Sequence, residues 1–107
     1  MIDNKRILAL IPARGGSKGL KNKNVLNLAG KPLISWSILQ AKKSEYIDDV
    51  IVSSDCEKII SISREFGAQV PFVRPSDLAT DTAKTSDVVI HALNFMEELG
   101  KDYNYVI

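Results

Sequence analysis

Cysteine, histidine and tryptophan each occur once in the 107 residues, as Cys56, His91 and Trp36. A single cysteine excludes an intrachain disulfide framework and a multi-cysteine zinc site. No apolar run approaches the roughly 20 residues that a membrane-spanning helix needs. The chain opens directly on a strand-like run, without an apolar leader followed by a small-residue cleavage site. These absences make a soluble, cytoplasmic protein with no membrane partner the expectation. A further absence is local: no Asp or Glu lies between Asp3 and Glu45.

That gap organises the charge. Residues 1–44 hold nine of the fourteen basic residues and one acid, a local charge of +8. Residues 45–107 hold five basic and twelve acidic residues, a local charge of −7. Sign asymmetry of this kind points to an anion site in the first segment. The overall net charge of only +1 argues against a polybasic surface for nucleic acid. Hydrophobic content of 45% with 25% charged residues fits one ordinary globular domain with a modest core.

Four apolar runs alternate with three helical patterns. Arg6–Ile11 reads as a strand buried on both faces, closed by Pro12. Pro32 marks a helix start, and the helix carries two apolar stripes, Leu33–Trp36–Leu39 and Ile34–Ile38–Ala41. Asp49–Ser53 is a second buried strand. Asp55 is then the candidate cap of a second helix with Cys56, Ile59, Ile60, Ser63 and Phe66 on one face and Gly67 as its stop. Gln69–Val73 reads as a short third strand ending at Arg74-Pro75. A third helix spans about Ser86–Leu99, with Val88, Ala92, Phe95 and Leu99 in one stripe and Val89, Leu93 and Met96 in the next. Gly100 ends it. Tyr103–Ile107 begins a fourth strand. The order β-α-β-α-β-α-β predicts an α/β fold, a Rossmann-like parallel sheet with helices on both faces. A buried parallel strand calls for a following crossover, so the sheet is expected to be incomplete at the C-terminus and the chain to be the N-terminal portion of a longer protein.

In such a sheet, ligands bind at the C-terminal strand ends, where the loop after the first strand lies. That loop holds Arg14, Gly15, Gly16, Ser17, Lys18, Gly19, Lys21 and Lys23. Glycines let the backbone approach a bound group, and successive N–H groups form an anion nest. Arg14 offers a planar fork for phosphate oxygens, and the lysines act as point charges. A polyphosphate site needs these features; a solvated basic loop is the plainer alternative. The loop is not a Walker A sequence, because Gly19 follows Lys18, and it does not contain the G-x-G-x-x-G dinucleotide pattern.

Three blocks in order carry a resemblance. Ile11-Pro12-Ala13-Arg14-Gly15-Gly16-Ser17-Lys18-Gly19-Leu20 with Lys23-Asn24, then Ile51-Val52-Ser53-Ser54-Asp55, then Arg74-Pro75-Ser76-Asp77-Leu78-Ala79-Thr80-Asp81-Thr82-Ala83 with Asp87-Val88 and His91-Ala92-Leu93 resemble the acylneuraminate cytidylyltransferases. Together they span nearly the whole chain. The resemblance implies a nucleotide-diphospho-sugar transferase type of fold, with residues 1–107 as the N-terminal nucleotide-binding part of a single cytidylyltransferase domain. It implies transfer of CMP from CTP to the anomeric hydroxyl of a sialic-acid-like 2-keto sugar acid, with release of pyrophosphate.

It also implies roles. Arg14 and Lys23 are the catalytic, phosphate-binding cations. Ala13, Gly15, Gly16, Ser17 and Lys18 shape the nucleotide loop, and Asn24 contacts the nucleotide near the reacting phosphate. Arg74 and Thr85 approach the cytosine and ribose. Mg²⁺ is the expected cofactor, with ligands beyond Ile107 and none within this segment. A homodimer is expected for the full-length protein, and residues 1–107 alone are expected not to turn over. The same chemistry on pseudaminic, legionaminic or Kdo-type acids is the alternative, as is a non-catalytic nucleotide-binding domain. Kdo-activating relatives lack the Gly-Ser-Lys-Gly run.

Structural roles compete at several positions. Arg74 also fits a surface salt bridge and Thr85 a helix cap. Asp77 and Asp81 read as turn and capping acids rather than a metal pair. His91 reads as a packed or partly exposed structural histidine, Cys56 as a small buried residue and Trp36 as core.

Overall fold

A computed structural model describes residues 6–13, 27–28, 30–80 and 83–107. Strand β1 is Ile7–Pro12, and its first four residues are buried. A small antiparallel pair follows, β2 (Asn27–Leu28) and β3 (Lys31–Pro32), turned by Gly30 at φ 88°. Then come α1 (Leu33–Lys42), β4 (Asp49–Ser53), α2 (Glu57–Glu65), a 3-10 turn at Ser76–Leu78, α3 (Thr85–Glu98) and β5 (Tyr105–Val106).

The main sheet is parallel, in the order β4-β1-β5. Gln69 adds a single parallel bridge to Ile51 on the outer side of β4. The chain therefore steps outward from β1 to β4 to the Gln69 segment. It then returns through α3 to β5 on the other side of β1. The strand order reverses between β1 and β5, the place where open α/β sheets bind ligands.

Two apolar clusters cover the two faces. Ala9, Val50, Val52 and Val70 pack with Ile34 and Ile38 of α1 and Ile59 and Ile60 of α2. Leu8, Leu10, Ile51 and Phe72 pack with Ala92 and Met96 of α3. The expected helix-on-both-faces layering is thus present, with α1 and α2 on one side and α3 on the other.

Both predicted glycine stops are Schellman ends. At α2, Gly67 N–H donates to the Arg64 carbonyl and Ala68 N–H to that of Ser63, at 3.1 and 3.0 Å. At α3, Gly100 and Lys101 make the equivalent bonds to Glu97 and Met96, both at 2.9 Å. Glycine suits this position because φ is +95° at Gly67 and +82° at Gly100, where a Cβ is strained.

Five local expectations need correction. The Gln69–Val73 strand is reduced to one bridge, because Pro71 has no N–H to continue the ladder. Trp36 is not core: it is 37% exposed, with the Lys31 ammonium 4.9 Å from its ring centroid. At about 100° per residue, Trp36 falls opposite the face formed by Ile34, Ile38 and Ala41. Asp55 is not the cap of α2. Cys56 occupies that position, half-buried rather than buried, and its N–H donates to Ser54 Oγ at 3.1 Å. Thr85 is the first residue of α3, and Lys84 holds the cap position without a side-chain capping bond.

At the N-terminal strand edge, Asp48 Oδ2 accepts the Ile7 N–H at 2.7 Å, and this bond holds its carboxyl below the ordinary value. Tyr103 donates its hydroxyl to Asp49 Oδ2 at 2.6 Å. Burial, then this bond, push the phenol above its ordinary pKa, so it remains a donor through neutral pH. Tyr103→Phe is expected to cost about 1 kcal/mol of stability, read as a lower urea midpoint at unchanged slope.

Candidate functional site

An apolar pocket of about 250 Å³ opens at the strand-order reversal. Leu10 and Pro12 of β1, Val106 of β5 and the following Ile107 form its sheet side. Thr85, Val88 and Val89 of α3 form the other wall. The first turn of α3, the positive end of its helix dipole, lies at the rim. Chain direction explains the placement: β1 and β5 are parallel, so both bring their C-terminal ends to the same edge.

Ala13 is the last described residue before the basic loop. It is 2% exposed, and its N–H donates to the Ser53 carbonyl at 2.9 Å. Ala13 is thus pinned to β4, one residue after Pro12 of the pocket lining. Arg14, Gly15, Gly16, Ser17, Lys18, Lys23 and Asn24 lie outside the described residues, as does Asp81.

Of the remaining predicted residues, Thr85 stands in the pocket wall. Arg74 is 4% exposed, and its guanidinium is engaged at the end of β4. Nε donates to Ser53 Oγ at 3.0 Å, Nη2 to the Ser53 carbonyl at 2.6 Å and Nη1 to the Leu78 carbonyl at 3.3 Å. Sequence reasoning did not single out Ser53. Its signal was a hydroxyl at the end of the buried apolar run Val50–Val52. The apolar wall residues Val88, Val89 and Val106 read only as core.

Among the described residues, no group of three or more His, Cys, Asp or Glu converges to hold a metal ion. Asp77 lies in the 3-10 turn, consistent with a turn acid. His91 sets its ring edge-on to Phe72, 4.8 Å between centroids, and is absent from the pocket lining. A second, polar concavity of about 210 Å³ lies at the opposite strand edge. Its polar groups bond to one another there: Gln69 Nε2 donates to Asp49 Oδ1 at 2.9 Å and Lys42 Nζ to the Gly67 carbonyl at 3.1 Å. Among the described residues, no helix is long and apolar enough to cross a membrane.

Comparison with known proteins gives a consistent set of similarities. The family model described as cytidylyltransferase matches residues 8–99. The chain is 43% identical over 99 residues to the pseudaminic acid cytidylyltransferase of Campylobacter jejuni, covering 92% of this chain and 43% of that protein. It is 42% identical over 102 residues to the CMP-N,N'-diacetyllegionaminic acid synthase of Legionella pneumophila, covering 95% of this chain and 44% of that protein. It is 46% identical over 89 residues to the N-acylneuraminate cytidylyltransferase of Escherichia coli, covering 83% of this chain and 21% of that protein. The chain thus spans less than half the length of these curated relatives. In fold it is similar to a CMP:2-keto-3-deoxy-manno-octonic acid synthetase solved with CTP. That match has a TM-score of 0.75 at 22% identity, over 95% of this chain and 39% of the other.

Proposed function

The chain belongs to the cytidylyltransferase family, and on that premise we propose that the intact protein transfers CMP from CTP to the anomeric hydroxyl of a sialic-acid-like 2-keto sugar acid. The sugar oxygen attacks the α-phosphorus. An O–P bond forms, the bond from the α-phosphorus to the bridging oxygen breaks, and pyrophosphate leaves with that electron pair. The hydroxyl proton passes to solvent or a base. Charge grows on the leaving pyrophosphate, so fixed cations are the main catalytic resource.

The observation that carries this reading is the pocket at the strand-order reversal, lined by Pro12 at the end of β1 and by Thr85. In this reading Arg14 and Lys23 neutralise the phosphates, the Gly15–Gly16 backbone closes on them, and Ser17 and Lys18 complete the loop. Asn24 touches the nucleotide near the reacting phosphate. Thr85 borders the cytosine and ribose, and Arg74 stands behind them. The fit of a flat, apolar-sided base to a pocket walled by Val88, Val89 and Val106 supports this orientation. Magnesium is proposed as the cofactor, with its ligands outside the described residues.

The relatives differ in their sugar acid while matching this segment at 42–46% identity. Pseudaminic or legionaminic acid is therefore the second reading of the acceptor. In either case a homodimer acting on free sugar acid in the cytoplasm is proposed. The test is pyrophosphate release by the intact protein across a panel of 2-keto sugar acids, with CTP and other nucleoside triphosphates. Release is expected with CTP and one class of acid. Nucleotide binding without release for any acid would favour a binding module instead.

A further inference from the structure

Helix α1 carries more apolar surface than the sheet uses. Ile34 and Ile38 are buried, at 2% and 0% exposure, in the cluster that seats the helix. The second stripe turns outward. Leu33 and Trp36 are each 37% exposed, and Leu39 is half-buried. A helix that is apolar on more than one face is ordinarily covered on more than one face. The outward stripe also has a shape. Trp36, Leu39 and Gln40 line a concavity of about 410 Å³ together with Lys31 and Lys43. Lys31 precedes the helix, with its ammonium 4.9 Å from the Trp36 ring centroid, and Lys43 is the C-cap. A cation thus stands at either end of the stripe.

The charge of this face has one sign. No Asp or Glu lies between Asp3 and Glu45, so neither α1 nor β3 offers these lysines a carboxylate. The neighbouring Lys42 is engaged elsewhere, its Nζ donating to the Gly67 carbonyl at 3.1 Å. An occupant complementary to the face has an apolar ridge for Trp36 and Leu39 and carboxylates for Lys31 and Lys43. Two copies meeting here about a twofold axis would present the same patch to each other. Lysine would then face lysine, which disfavours self-pairing.

Size separates a free partner from a tethered one. Helix α1 has ten residues, which makes it about 15 Å long. Stable contacts between separate proteins bury about 800 Å² on each partner, more than one face of so short a helix presents. A segment of the same polypeptide needs less area, because tethering raises its effective concentration. The chain spans less than half the length of the curated relatives it matches.

We infer that, in the intact protein, a segment outside residues 1–107 with an apolar ridge flanked by Asp or Glu packs on the outer stripe of α1. The contact holds the remainder of the polypeptide to the sheet face opposite α3. The pocket at the strand-order reversal is walled by α3, so this segment leaves it uncovered. The inference does not depend on the proposed CMP transfer.

The test is made first on the intact wild-type protein, so that no variant has to fold. Hydroxyl-radical labelling, read peptide by peptide, gives the oxidation rate of Trp36 relative to the same protein unfolded in urea. That relative rate is expected to fall well below the 37% exposure of Trp36 seen here and to be unchanged on dilution. Carbodiimide coupling is expected to join Lys31 or Lys43 to an Asp or Glu outside residues 1–107. In a mixture of light and isotopically heavy protein, these links are expected only within one molecule. Trp36→Gln is expected to lower the urea midpoint of the intact protein, while Leu99→Gln, at a position 59% exposed, leaves it unchanged.

A relative oxidation rate near 37% would overturn the inference and leave the face open for a separate partner. Links between light and heavy molecules, or protection lost on dilution, would overturn it in favour of a second copy. Links only to carboxylates within residues 1–107, or protection with no link from either lysine, would remove the acidic tethered segment. Equal midpoints for Trp36→Gln and Leu99→Gln would count against it in the same way, because nothing would then be packed on Trp36.

Discussion

Arg14→Ala in the intact protein is expected to lower kcat for CMP transfer by roughly 30- to 900-fold, equal to about 2–4 kcal/mol of lost transition-state stabilisation. The reason is the charge history of the reaction. The triphosphate is already anionic when bound, but negative charge concentrates on the departing pyrophosphate as the bond breaks. A fixed guanidinium aimed at those oxygens gains in interaction during that step. The loss therefore falls on kcat as well as on KM for CTP. Arg14→Lys keeps the charge but not the two-pronged geometry, so an intermediate loss is expected. Steady-state pyrophosphate release checks both, and unchanged kcat and KM in Arg14→Ala would remove Arg14 from the site.

Leu8→Ala is expected to be the most destabilising of the single substitutions considered, at about 2–5 kcal/mol. Leu8 is fully buried in β1, the central strand, between Asp49 of β4 and Val106 of β5. It belongs to the cluster with Ala92 and Met96, which seats α3 on the sheet. A cavity there loosens α3 against the strand ends that form the pocket. Against a typical stability of about 5–15 kcal/mol, the loss is a large share. Leu99→Ala is the comparison: Leu99 is 59% exposed at the end of α3, and its replacement is expected to stay within about 0.5 kcal/mol. Urea unfolding of the intact proteins measures both. Equal losses would contradict the assignment of β1 as the buried centre.

The elements legible in the sequence are those whose signal is local and strong. Asp49–Ser53 is a strand over the residues expected, because an apolar β-branched run bounded by polar residues has few other ways to be buried. The third helix lies within one residue of its expected bounds, ended by the glycine that only a left-handed position requires. What escaped depends on partners. The β2–β3 pair is two residues long on each side and exists through the turn at Gly30, which composition alone does not announce. The two apolar stripes of α1 are equally hydrophobic on paper, and only the sheet selects Ile34 and Ile38 over Leu33 and Trp36.

The site divides in the same way. Strand order directs attention to the strand ends after β1, where an apolar pocket opens and Thr85 stands in its wall. Ser53 did not stand out, because a serine ending a buried strand looks like a boundary. Its role appears only when Ala13 and Arg74 are seen to share its carbonyl. The +8 segment and the resemblance pointed to the loop of Arg14 and Lys23, whose residues lie outside those described.

The central claim is that the triphosphate of CTP is held where the strand order reverses, by the loop that leaves β1 at Ala13. A crystal structure of the intact protein with a non-hydrolysable CTP analogue tests it most directly. The account predicts the base against Thr85, Val88 and Val89 and the phosphates within hydrogen-bond reach of Arg14 and Lys23. A nucleotide bound elsewhere, or phosphates that no group of residues 14–24 contacts, would contradict it.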